Sequence, residues 1–288
     1  DCESRISALE SVAGLYKVSP SVLDDFLRTF DLDAHYATND PSRFCDEELR
    51  LVFEATFTRQ PNLIDRVFWF HLTRARRASD FEDGIYPLTA SLERVWETII
   101  DVFRGTDHEA RLLEMRQRGV PNSHYELKVG KPLLGGPYAM LVRDVAACPS
   151  TMGNHDYLRL PEIMRDICNG YQERYAEPIH NALNEALVPI IVKFWSAKKR
   201  GPSCIESALY YLYLTAHDRD LNVTQILASM AKTRVFRRHK SSARRSQMPN
   251  PSLEWTATGK PLGPRAGVVH HPSRGPSAFP ASAPQLKR

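Results

Sequence analysis

The sequence predicts a helix-dominated α+β fold, in which a small mixed sheet is flanked by helices, with an N-terminal helical module and a disordered C-terminal tail. Three observations lead there. Apolar residues recur at helical spacing through residues 4–57, two strand-like segments then appear among amphipathic helices, and apolar periodicity stops near residue 236. The expected organisation is a helical module over 1–60, an α+β domain over 61–236 and a basic, Pro-rich tail over 237–288.

Each element has a local reason. "SRISALESVAGLY" places Ile6, Leu9, Val12 and Leu15 or Tyr16 on one stripe, and "SPSVLDDFLRTF" repeats the pattern after a Ser19-Pro20 start. "CDEELRLVFEATF" opens on acids, which suit the positive end of a helix dipole. "RVFWFHLT" is rich in β-branched and aromatic residues and reads as a strand. The amphipathic helix "TASLERVWETIIDVFRG" stops at Gly105, and a charged helix spans about His108 to Arg118. "GGPYAMLVRDVA" is the second strand, opened by Gly135-Gly136-Pro137. "LPEIMRDICNGYQERY" is helical from Pro161. Apolar helices are expected at about Glu185 to Ala197 and Ile205 to Ala216, and a last one near Thr224 to Ala231.

Charge is unevenly divided. The chain has 288 residues and a net charge of +4, yet from Ala231 onward twelve Lys or Arg face one acid, Glu254. The body is therefore acidic, which suits a protein partner, and the basic pI belongs to the tail. Eight of the twenty prolines fall between Pro249 and Pro284, where too few apolar residues exist to build a core. Non-specific nucleic-acid contact is expected only there, through "RVFRRHKSSARR". Five cysteines with no CxxC pair disfavour a zinc cage or disulfide framework and suit a reducing cytoplasm. The most apolar run, "ALVPIIVKFW", is too short to cross a bilayer. The chain starts at Asp1 without a methionine, so the expected true start is missing or trimmed.

Several motifs point to chemistry that their surroundings do not support. "SVAGLYKVSPSVLDDFL" has the order of a helix-turn-helix, but Lys17 replaces the turn glycine and Asp24 and Asp25 would face phosphates. A helical packing or partner module is the expected reading. His155-Asp156 and His217-Asp218 suggest a metal phosphohydrolase, for which His180 could serve as an earlier ligand. No Asp follows Asp220 to complete the set, so His217 is expected at a helix end and Asp156 at a turn. Cys148 and Cys168 are expected as structural thiols. GxSxG, Walker-type and HExxH motifs do not occur.

One stretch carries more. The strand ending His71-x-Thr73-Arg74, followed by Phe81-x-x-Gly84-Ile85, resembles the first conserved region of ADP-ribosyltransferases, in which a strand ends in His-Gly-Thr and a Gly-apolar pair follows. Leu72 stands where that family has its glycine. The resemblance implies that NAD is bound, with His71 on the adenosine ribose, the backbone beside it on the nicotinamide amide, and Thr73 at the mouth of the sheet. "LLGGPYAMLV" resembles the second region and would bring Tyr138 onto the nicotinamide face. The third region supplies a catalytic Glu; Glu162 in "LRLPEI" is best placed by order, whereas Glu206 is expected to face solvent from a helix. Arg74, Arg76 and Arg77 would bring positive charge to a pyrophosphate.

The same residues admit another reading: His71 as a core histidine tied to a backbone carbonyl, the arginines as a solvated loop, and Tyr138 as core. The protein would then be a non-catalytic, helix-rich immunity or adaptor factor. Residues 250–288 also resemble a tail that recurs on unrelated bacterial reading frames, integron cassettes among them, which implies a mobile bacterial gene rather than an activity.

Overall fold

Capping and turn chemistry set the first helices. A computed structural model describes residues 1–39, 41–79, 81, 84–130, 138–148, 156–197 and 201–221, and the backbone of 228–230. Helix α1, Arg5–Tyr16, begins at Ser4, whose hydroxyl accepts from the Ser7 N–H, and α2, Pro20–Thr29, begins at Ser19, which accepts from Val22. Between them Lys17 adopts the left-handed conformation, φ 53°, that a glycine would adopt without strain. Helices α3, Leu32–Asn39, and α4, Cys45–Phe57, complete the N-terminal group.

Strand β1, Val67–Ala75, is followed by α5, Leu88–Val102, α6, Asp107–Arg118, and α7, Ser123–Gly130. Then come β2, Tyr138–Met140, a 3-10 turn at Arg143–Ala147, α8, Glu162–Tyr175, and α9, His180–Ala186. Strand β3, Val188–Ser196, helix α10, Pro202–Ala216, and β4, Ala228–Met230, end the described chain. The sheet order is β3-β1-β2-β4 with antiparallel neighbours, and one parallel bridge joins Cys2 to Val142. The helix-dominated α+β class follows the sequence.

Two hydrophobic cores divide the interior. The first joins α1, α2 and α4 to the sheet and α10: Leu23, Leu27, Leu49 and Phe53 lie beside Trp69, Phe70, Leu209 and Tyr211. Full burial of each such side chain contributes about 1.5–3 kcal/mol. The N-terminal helices thus share their core with a helix that follows much later in the chain. The second core joins α5 and α6 to α8 and α9 through Trp96, Ile99, Leu112, Ile167 and Leu183.

Three elements depart from expectation: the second strand, expected over "GGPYAMLVRDVA", is Tyr138–Met140 alone, with Arg143–Ala147 forming the 3-10 turn, and two expected helices contain strands. The run expected as a helix over Glu185 to Ala197 is instead β3, paired residue by residue with β1 from Val67↔Ser196 to Ala75↔Val188. Pro189 removes an N–H that a helix would use, and the β-branched Val188, Ile190, Ile191 and Val192 favour the pleated sheet. Within the expected helix at Thr224 to Ala231, Ala228–Met230 is a strand paired with β2; the rest of that segment lies outside the described residues. Outside them too lie the Gly135-Gly136-Pro137 opening and the tail, 237–288, with its expected disorder and nucleic-acid contact. His217 ends α10 as expected, donating from Nε2 to the Leu27 carbonyl at 2.9 Å. Among the described residues no helix is long and apolar enough to cross a membrane.

Candidate functional site

The site starts where β1 and β2 separate. Their ladder pairs Phe70 with Met140. Beyond that pair the His71 imidazole, rather than a backbone amide, meets the Tyr138 carbonyl at 2.7 Å. A carbonyl only accepts, so Nδ1 carries the proton and Nε2 keeps its lone pair. Burial lowers the His71 pKa against the raising effect of this bond, and the ring is neutral. Thr73, two residues on, is half-buried opposite Ile190 of β3.

Tyr138 leads from this seam to a carboxylate. Its phenol pKa is raised by burial and then by the negative charge of Glu162, an effect that Lys128 offsets. Glu162 opens α8 and receives a hydrogen bond from the Tyr157 hydroxyl at 3.3 Å and an ion pair from Lys128 at 3.0 Å. Lys128, on α7, also binds Asp166 at 2.6 Å, one turn further along α8. The Asp166 side chain is 2% exposed, whereas that of Glu162 is 22% exposed. Asp166 therefore anchors the lysine, and Glu162 is the carboxylate open to solvent.

Arg74 lies elsewhere and has a different task. Its Nε donates to the Leu158 carbonyl at 2.7 Å, and its Nη1 donates to Asn184 at 2.7 Å and Leu187 at 2.6 Å. Three of its five N–H bonds thus tie β1 to the turn carrying Tyr157 and to the end of α9. That commitment to backbone takes Arg74 away from the pyrophosphate expected of it. Arg76 pairs with Asp101 of α5 at 2.6 Å and Arg77 is exposed, so Arg74 and Arg76 are committed to different partners.

The structure joins His71 to the Tyr138 carbonyl, sets the Glu162 charge to act on the Tyr138 phenol, and ties Glu162 to Lys128 and Tyr157, and Lys128 to Asp166, three residues that the sequence reading missed. The i, i+4 spacing of Glu162 and Asp166 on one helix was the available signal; for Lys128, some forty residues away in sequence terms and on another helix, there was none. Gly84 takes φ +95° and its N–H donates to the Phe81 carbonyl, while Leu72 is buried in the core. Glu206 does not face solvent: Arg50 holds it at 2.9 Å with 14% of the side chain exposed. Asp156 turns the chain, its carboxylate accepting from the Arg159 N–H. Cys168 is buried, its thiol pushed up to about 12 by desolvation, as a structural cysteine should be. No protein family, curated protein or solved structure compared with this chain matches it.

Proposed function

We propose that the chain is an NAD-binding, ADP-ribosyltransferase-like protein of a reducing, cytoplasmic compartment, with Glu162 as its catalytic carboxylate. The observation that carries this reading is that the His71 imidazole bonds the Tyr138 carbonyl while the Glu162 charge acts on the Tyr138 phenol, although the three residues lie far apart in sequence. The donor set suits the ligand. A neutral His71 accepts at Nε2 from a ribose hydroxyl, the half-exposed Tyr138 ring offers a stacking face, and Glu162 supplies a fixed negative charge. As the bond from ribose to nicotinamide breaks, its electron pair leaves with nicotinamide, and the carboxylate stabilises the positive charge that develops on the ribose. Lys128 and Tyr157 hold that carboxylate in place.

The test is a melting scan with millimolar NAD on wild type, His71→Ala and Glu162→Gln. A binder gains stability by mass action. Wild type should shift upward, His71→Ala should shift less, and Glu162→Gln should bind NAD while releasing no nicotinamide. A wild type whose melting temperature ignores NAD would remove this reading and leave the non-catalytic interaction protein in its place.

A further inference from the structure

Two carboxylates on α8 share one lysine and differ in how firmly they need it. Lys128 Nζ lies 2.6 Å from Asp166 Oδ2 and 3.0 Å from Glu162 Oε2. A buried carboxylate left without its cation is strongly destabilising, so Asp166, 2% exposed, keeps Lys128 in place whatever happens at the more open Glu162. An ammonium carries three N–H groups. One bonds Asp166 and at most one more is engaged by Glu162, so at least one N–H has no acceptor among the described residues. The Lys128 side chain is 20% exposed, and a ligand can reach it.

We infer that Lys128 binds the ligand itself, donating its remaining N–H to a hydroxyl oxygen of the sugar that Glu162 serves, and that Asp166 is the positioning residue that aims it. The inference rests on the NAD reading, which identifies that sugar as the nicotinamide ribose. A sugar seated against Glu162 brings its hydroxyls within reach of an ammonium 3.0 Å from the same carboxylate. Hydroxyl oxygens accept as well as donate, and a charged donor makes the stronger bond. Lysine suits the task because its three donors rotate about one terminal bond, so it can offer the third without releasing Asp166. Its buried anchor has a further effect: a side chain already fixed loses less freedom when the ligand arrives. Lys128 would then act on the ligand directly, in addition to holding Glu162.

Glu162→Gln separates the two roles, because it removes the charge that Lys128 would orient while Asp166 still holds the lysine. The full chain carrying Glu162→Gln is titrated calorimetrically with NAD, with and without Lys128→Met/Asp166→Leu, a pair of changes that replaces both buried charges together by apolar side chains so that neither is orphaned. Adding the second pair of changes should weaken NAD binding at least about tenfold. Equal affinity in the two would overturn the inference, since a lysine that only orients Glu162 has nothing left to do once that charge is gone. A second measurement needs no change at Lys128: the 15N signal of its ammonium is followed by NMR in the Glu162→Gln chain. Saturating NAD should move that signal. A signal that stays put while calorimetry shows NAD bound overturns the inference and leaves the NAD reading standing, even if the Lys128→Met/Asp166→Leu chain fails to fold. NAD that binds neither wild type nor Glu162→Gln removes the NAD reading, and the inference with it.

Discussion

The two cores handle buried charge differently. In the first, Tyr16 on α1 donates to Glu54 on α4, Arg50 grips Glu54, and the same arginine reaches Glu206 on α10. Burial, followed by the hydrogen bond and charge of Glu54, raises the Tyr16 pKa, so the phenol stays a donor. The second core draws on elements closer together in sequence, α5 to α9, and its polar ties are separate pairs rather than one network: Lys128 joins α7 to the buried Asp166 of α8, and His108 meets the Tyr171 hydroxyl at 2.8 Å. Helices distant in sequence are matched by a buried ionic network. Neighbouring helices need less specification, and beside the buried Asp166 it is Glu162, with 22% of its side chain exposed, that stays within reach of solvent.

The comparison is most easily broken at Arg50. Arg50→Ala would leave Glu54 and Glu206 without their cation, and loss of one partner from a buried pair costs about 3–5 kcal/mol. Chemical denaturation should show this as a lower midpoint. A loss near zero would show that the network does not hold the first core together. Arg74→Ala comes next. It strips three carbonyls of a charged donor where the cores meet, and should cost about 3 kcal/mol, since each such bond is worth about 1.5–3 kcal/mol before relaxation and water replace part of it. The loss should be accompanied by weaker NAD binding, because the Tyr157 turn would no longer be held.

His71→Ala should cost about 1–3 kcal/mol, the penalty of orphaning the Tyr138 carbonyl. Its pH signature sharpens the test. A histidine whose pKa is lowered in the fold binds its proton more readily when unfolded, so its stabilisation is complete above the ordinary value of 6.5 and is lost as pH falls below it. Between pH 7.5 and pH 5.5 the wild-type melting temperature should fall, and it should fall less in His71→Ala. The smallest effect on stability belongs to Glu162→Gln, a partly exposed ion pair, at about 0–1 kcal/mol. Its effect on nicotinamide release should be far larger; the reverse order would make Glu162 structural.

Much of this was legible in the sequence because periodicity and capping are local. α1, α2, α4, α8 and α10 follow their apolar stripes, and Ser4 and Ser19 cap their helices. What escaped was decided by distant partners. The segment around Ile190 became a strand because β1 pairs with it, Glu206 was buried because Arg50 comes from another helix, and Arg74 gave its charge to carbonyls of residues that sequence order does not bring near. Of the site, the residue types at His71, Tyr138 and Glu162 could be picked out, but the lysine that joins the carboxylates could not.

The register between β1 and β3 has a kinetic consequence. Every rung of that nine-residue ladder closes over the whole of segment 76–187, and such long closures carry an entropic cost that only later contacts repay. β1 is made early and waits for its longest partner until the helices of the second core have been synthesised. During that wait Trp69, Phe70 and Leu72 lack the strand that will cover their edge. Non-local pairing of this kind slows folding and exposes the chain to aggregation. Early contacts among α5, α6, α8 and α9, which are local in sequence, would shorten the effective distance over which β1 and β3 must find each other.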